Sequence, residues 1–341
     1  MFESNNENEL ILDNKGSDIK TVKKRATGKF LSNFLALRLA KLHENDENDY
    51  WFNRYYKTVL CSGLLAEVGG RFVSSFCKYK ICVVCSRIRT AQLIHAYRDA
   101  VEELQDKKFV TLTVKNVNAH ELSGKLREMV QSFQKAKDNL RKQKINLRGT
   151  RNMEVTYNYK ENTYHPHFHL IIENKYHAEC LISEWLRLNA GVEPYLQNFR
   201  EFGLREDDFL ECFKYVNKLI SNSKTVYRTD ELATFKEIDE RLYISAIDII
   251  NQAVSGVGND NRFRTFQAFG LKRKKENERE ISEIAESDYV MNFWKYQFDF
   301  ENKLFDWKNT RVDNFLTNFE PSSRLIDLVE NKTFDYNLKN I

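Results

Sequence analysis

Three histidines stand at alternate positions in the segment HPHFHLII, at His165, His167 and His169. Residues two apart on a strand share a face, so the three imidazoles project together while Phe168 and Leu170 point to a core. Neutral imidazoles in that array suit one divalent cation. The preceding segment, MEVTYN, places Glu154, Thr156 and Asn158 on a matching face, and a hairpin that pairs 158 with 165 would set Glu154 opposite His169. Two imidazoles and a carboxylate leave coordination positions open for water or a phosphate oxygen, as a catalytic cation requires.

A second set follows in ECFKYVNK, where Glu211, Tyr215 and Lys218 lie at i, i+4 and i+7, on one face of a predicted helix. A phenol of pKa about 10 is a poor nucleophile at neutral pH. A neighbouring ammonium and a polarised phosphate would both favour its attack. The third set is Cys61, Cys77, Cys82 and Cys85, with 15, 4 and 2 residues between them. Four thiolates would complete a tetrahedral structural Zn²⁺ site, although only the final pair has the usual C-x-x-C spacing. His95 is an alternative fourth ligand, and buried reduced thiols are the competing reading. Cys180 and Cys212 are solitary in apolar helical settings and are assigned to the core.

These groups need a frame. FVTLTV from Phe109 predicts a strand, and Leu122, Leu126, Met129, Phe133, Ala136 and Leu140 recur at helical spacing after it. The hairpin, a helix near 177–188, a strand near 195–202 and a helix near 206–222 complete the order. The predicted class is α+β, an antiparallel central sheet with helices packed on one face. Before this block, 1–50 reads as a mobile arm and a helix over Phe30 to Leu42, and 51–104 as a Cys-rich segment. The sheet-bearing domain is assigned to 105–275, and 276–341 to an acidic, aromatic-rich helical region.

The 341 residues carry a net charge of only +4, but 276–341 hold 14 acidic and 8 basic side chains, leaving +10 on the rest. Segregation of that kind points to a polyanionic partner for the basic part. Lys142, Lys144, Arg148 and Arg151, then Lys272 and Arg273, are the expected phosphate contacts. No apolar run is long enough to span a bilayer, and the N-terminal MFESNNENEL lacks the pattern of a signal peptide. A cytoplasmic location is therefore expected.

FVTLTV, HPHFHLII and ECFKYVNK, in that order, resemble the three motifs of HUH endonucleases. The likeness is closest to the replication initiators of rolling-circle plasmids from low-GC Gram-positive bacteria, over about residues 55–270. It implies an RRM/ferredoxin-like core in which His167 and His169, with Glu154 and the adjacent His165, bind a catalytic Mn²⁺ or Mg²⁺. It also implies that Tyr215 attacks the scissile phosphodiester of a plasmid double-strand origin, giving a free 3′-OH and a 5′-phosphotyrosyl adduct. Lys218 would stabilise phosphate charge. Some relatives carry a second tyrosine four residues from the first; the carboxylate of Glu211 stands there instead and would activate water for hydrolytic termination. A host helicase and replication machinery are the implied protein partners. A transposase or relaxase using the same chemistry, and a non-catalytic zinc-stabilised DNA-binding repressor, are the alternatives.

Overall fold

The computed structural model describes residues 11–12, 16–44, 49–158, 160–203, 208, 240–256, 263–274, 292–299 and 301–322. The chain divides into two units, one formed by 1–85 with 278–341 and the other by 86–277. The architecture is α+β with two antiparallel sheets. No described helix is long and apolar enough to cross a membrane.

In the 86–277 unit the sheet runs β7 (Asn198–Glu201), β4 (Lys108–Thr113), β6 (Thr163–Ile172), β5 (Gly149–Asn158), β8 (Phe266–Phe269). Its principal helix, α4 (Ala119–Lys142), opens on a capping box in which the Glu121 carboxylate accepts from the Asn118 amide at 3.0 Å. The predicted stripe from Leu122 to Leu140 is buried throughout. It packs on the sheet face formed by Val110, Leu112, Met153, Phe168 and Leu170, together with Ala178, Leu181 and Trp185 of α5 (Lys175–Leu188) and with α6 (Glu240–Ser255). Alternation then sends Phe109, Glu154, His167, His169 and Ile171 to the opposite face. There Val101 of α3 (Val83–Glu102) and Leu104 cover Phe109 and Ile171. The apolar alternate residues thus anchor β6 on one side while its polar ones stand on the other.

The hairpin register differs from expectation. Asn158 pairs with Thr163, and Glu154 falls opposite His167, with Asn152 opposite His169. The turn is tighter than the sequence reading allowed. Asn158 Oδ1 accepts from the amides of Lys160 at 3.2 Å and Glu161 at 3.4 Å, and Asn162 adopts a left-handed φ of 51°, so pairing continues to the last residues.

The other unit contains β1 (Ile11–Leu12), α1 (Ile19–Lys41), α2 (Tyr50–Leu60), β2 (Leu64–Val68) and β3 (Arg71–Phe76), joined by β9 (Asn292–Tyr296) and β10 (Trp307–Asn309) from the far end of the chain. The sheet order is β1-β3-β2-β9-β10. Helix α1 begins at Ile19 because Asp18 accepts from the Thr21 amide at 2.7 Å, so the basic segment assigned to an arm is largely helical. The aromatic stretch 289–307, expected to be helical, instead supplies β9 and the start of β10. Trp294 pairs with Leu65 and donates Nε1–H to Glu67 at 3.3 Å, and Trp307 donates Nε1–H to the Ser62 carbonyl at 2.8 Å. These partners, distant in the chain, satisfy both indole N–H groups and outweigh local helical spacing.

Candidate functional site

On the face of the 86–277 sheet opposite α4, Glu154 of β5 and His167 and His169 of β6 converge. The Glu154 carboxylate lies 3.5 Å from His167 Nε2 and 3.6 Å from His169 Nε2, and all three ligand atoms fall within 4.8 Å of one another. The strand register accounts for this: Glu154 is directly opposite His167 and diagonal to His169. Burial works to raise the Glu154 pKa, but hydrogen bonds and charge from the two imidazoles outweigh it and hold the carboxyl well below its usual range. His167 Nδ1 lies 3.2 Å from the His165 carbonyl, a contact that favours the tautomer presenting Nε2 toward the carboxylate.

The donor set fits a divalent cation of the Mn²⁺ or Mg²⁺ type. A metal coordinated at about 2.1 Å places adjacent ligands roughly 3.0–3.4 Å apart, close to the separations present. His165 does not join the trio. Its Nδ1 lies 2.8 Å from Asn116 Oδ1, and burial, then the neighbouring His167, draws its pKa down to about 4.

The rim is built by residues the sequence reading passed over. Gln197 Oε1 accepts from the Thr113 amide at 2.7 Å and its Nε2 donates to Thr113 Oγ1 at 3.0 Å, closing the strand end beside His167. Trp185 donates to the Thr113 carbonyl at 3.0 Å from the core side. Only a buried amide one residue before a short strand could have flagged Gln197.

The expected phosphate contacts separate into two groups. Lys142, Lys144, Lys272 and Arg273 are exposed. Arg151 is not available: it is 1% exposed, held 4.7 Å over the Phe168 ring and 5.2 Å over Phe133, and donates to the Arg264 carbonyl at 2.9 Å. Strand β5 begins at Gly149, four residues before the predicted start, which places Arg151 on the core face. Burial lowers its pKa to about 10. Arg148 is half-buried, and its guanidinium pairs with Glu173 at 2.8 Å. Tyr215, Glu211, Lys218 and Cys212 lie outside the described residues.

The cysteines form a second cluster, in the other unit. Cys61 at the end of α2, Cys77 after β3, and Cys82 and Cys85 at the start of α3 bring four Sγ atoms within 4.8 Å of one another. His95 is not part of this group, and Cys180 packs against the α4 core. Burial pushes the Cys77 thiol well up, and its thiol neighbours add to the effect. Lys29, which the sequence reading also missed, sits on α1 beside this cluster. Its signal was its place on the buried stripe Val22, Ala26, Lys29, Asn33, Ala36.

The antiparallel α+β unit thus carries on its sheet face a two-histidine, one-carboxylate trio that could hold a metal ion. Residues 72–189, which include the trio and three of the clustered cysteines, match the family model described as a replication protein. The chain is 30% identical over 208 residues to "Protein rep" of Streptococcus pneumoniae serotype 2, covering 51% of this chain and 65% of that one. It is 35% identical over 136 residues to "Protein rep" of a Bacillus species, with 36% and 44% covered. It is also 32% identical over 182 residues to "Protein rep" of Staphylococcus aureus, covering 46% of this chain and 76% of that one. The chain belongs to this replication-protein family. Its match spans less than two thirds of the Streptococcus and Bacillus relatives. No solved structure matches it.

Proposed function

We propose that the chain initiates rolling-circle replication of a plasmid by nicking one strand of its origin. The observation that supports this most is the Glu154, His167 and His169 trio, two of its members buried, at the centre of a sheet and within the segment that matches the replication-protein family. In this reading the trio holds Mn²⁺ or Mg²⁺, whose chemistry when bound is to polarise the scissile phosphate. The phenolic oxygen of Tyr215 forms a bond to phosphorus, the bond to the 3′ oxygen breaks, and the phenolic proton passes by way of solvent to that leaving oxygen. A free 3′-OH for primer extension and a 5′-phosphotyrosyl bond result. Lys218 offsets phosphate charge, and Glu211 takes a proton from water when the adduct is hydrolysed at termination. Exposed Lys142, Lys144, Lys272 and Arg273 contact backbone phosphates, and a host helicase unwinds the opened duplex for the replication machinery.

The test is incubation of the full chain with Mn²⁺ and supercoiled plasmid bearing its origin. Relaxed circles with protein bonded to a 5′ end are expected, and Tyr215→Phe should abolish the bonded product. An undiminished adduct in that variant would refute the assignment of Tyr215.

A further inference from the structure

We propose that Cys61, Cys77, Cys82 and Cys85 hold one structural Zn²⁺, and that Lys29 is the buried counter-charge of that site. The sulfur separations are 3.5 Å for Cys61 to Cys85, 3.6 Å for Cys82 to Cys61 and 3.7 Å for Cys77 to Cys85. Four sulfurs about 2.3 Å from one zinc define a tetrahedron with edges of about 3.8 Å. All four sulfurs lie within 4.8 Å of one another, the grouping that a single shared ion requires.

The backbone around the sulfurs is arranged as for thiolates. The Cys77 amide donates to Cys61 Sγ at 3.4 Å, the Lys78 amide to Cys85 Sγ at 3.2 Å, and the Cys85 amide to Cys82 Sγ at 3.5 Å. Lys78 adopts a φ of 56°, the left-handed conformation that turns its amide toward the cluster. Cys85 also lies in the first turn of α3, where the helix dipole favours negative charge. Binding would convert four thiols to thiolates, release their protons and leave a formal charge of −2 on the filled site.

Lys29 answers that charge. Its side chain is fully buried, and its ammonium donates to the Val59 and Cys61 carbonyls, each at 2.7 Å, and lies 5.0 Å from the centre of the Tyr296 ring. Among the described residues no carboxylate pairs with it. A buried ammonium with only carbonyls and a ring for company is unfavourable unless a negative group is close, and the filled thiolate site is that group. The ion would tie α2, β3 and α3 together at one point, with Lys29 adding α1.

The experiment is metal analysis of the full chain purified without chelator. About one zinc per chain is expected, released when a mercurial reagent blocks the thiols. Absence of zinc, or iron in its place, overturns the proposal. Cys77→Ser, the least buried of the four, should lose the zinc, whereas Cys180→Ser should keep it; retention by Cys77→Ser overturns the ligand set. Lys29→Gln keeps a donor for the two carbonyls but removes the charge. Competition against a chelator should show its zinc affinity lowered about tenfold or more, the usual range for a group supporting a metal site. The cobalt-substituted variant should keep the visible absorption of a tetrahedral thiolate site. If Lys29→Gln does not fold, Lys29→Met is measured in the same way, and unchanged affinity in the variant tested overturns the counter-charge role. None of these readouts involves DNA, so they stand or fall apart from the nicking reading.

Discussion

Truncating Phe168 tests whether the histidine strand is held from its core side. Phe168 is fully buried between two ligand histidines in sequence, with ring contacts to Phe133 at 5.6 Å and Trp185 at 5.7 Å and the Arg151 guanidinium at 4.7 Å. Removing a buried phenylalanine ring costs about 3–5 kcal/mol in a well-packed core. The edge-to-face contacts, at about 0.5–1.5 kcal/mol beyond area, and the cation–π contact place this site in the upper part of that range. These terms overlap, so about 4 kcal/mol is expected of a domain stability of about 5–15 kcal/mol. With a urea dependence of roughly 2 kcal/mol per molar, Phe168→Ala should lower the unfolding midpoint by about 2 M. Pulsed hydrogen exchange of β5 and β6 peptides across a urea gradient reads this unit separately from the other. His165→Ala, two residues before His167 on the same face and only partly buried, should move the midpoint by less than about 0.5 M, as is usual away from the core. A shift below about 0.5 M for Phe168→Ala would refute the assignment of strand faces on which the site rests.

Glu154→Gln keeps the shape of the trio but removes its only carboxylate, so Mn²⁺ binding followed by calorimetry should weaken at least tenfold; unchanged affinity would exclude Glu154 as a ligand. Lys142→Ala and Lys144→Ala should each lower the slope of log affinity for DNA against log salt by about one, whereas Arg151→Met should leave the slope unchanged because that guanidinium is buried. A Cβ on Gly149 would stand 1.9 Å from the Ile171 carbonyl oxygen, so Gly149→Ala should cost about 3 kcal/mol or more. Gly124, exposed within α4 with nothing near a Cβ, is the reverse case: Gly124→Ala should stabilise by about 0.5–1 kcal/mol in thermal unfolding.

Wherever a pattern is local, the sequence carried it. The alternation in HPHFHLII and the 3.6-residue stripe of α4 predicted which faces are buried, and both stand in the structure. The register was two residues off because it depended on the Asn158 and Asn162 turn, whose side-chain hydrogen bonds set where pairing closes. Arg151 looked like surface charge because basic residues precede it; only the early start of β5 and two aromatic rings from separate elements make its burial tolerable. Segment 292–296 falls within the 276–341 region assigned to helix. Its identity as a strand comes from β2, more than 200 residues earlier, and no local propensity reports that pairing.

On the ribosome, the paired strands β2 and β3 emerge more than 200 residues before β9, which pairs with the other edge of β2. At about 5–20 residues per second, the free edge of β2 waits roughly 10 to 40 seconds for β9. During that interval the nascent chain presents an open strand edge that can template association with a neighbour on the same polysome. The 86–277 unit, continuous in sequence, can complete its sheet meanwhile. Slower elongation through the intervening residues is therefore expected to lower the soluble yield of the first unit, as a lower soluble fraction when translation is slowed would show.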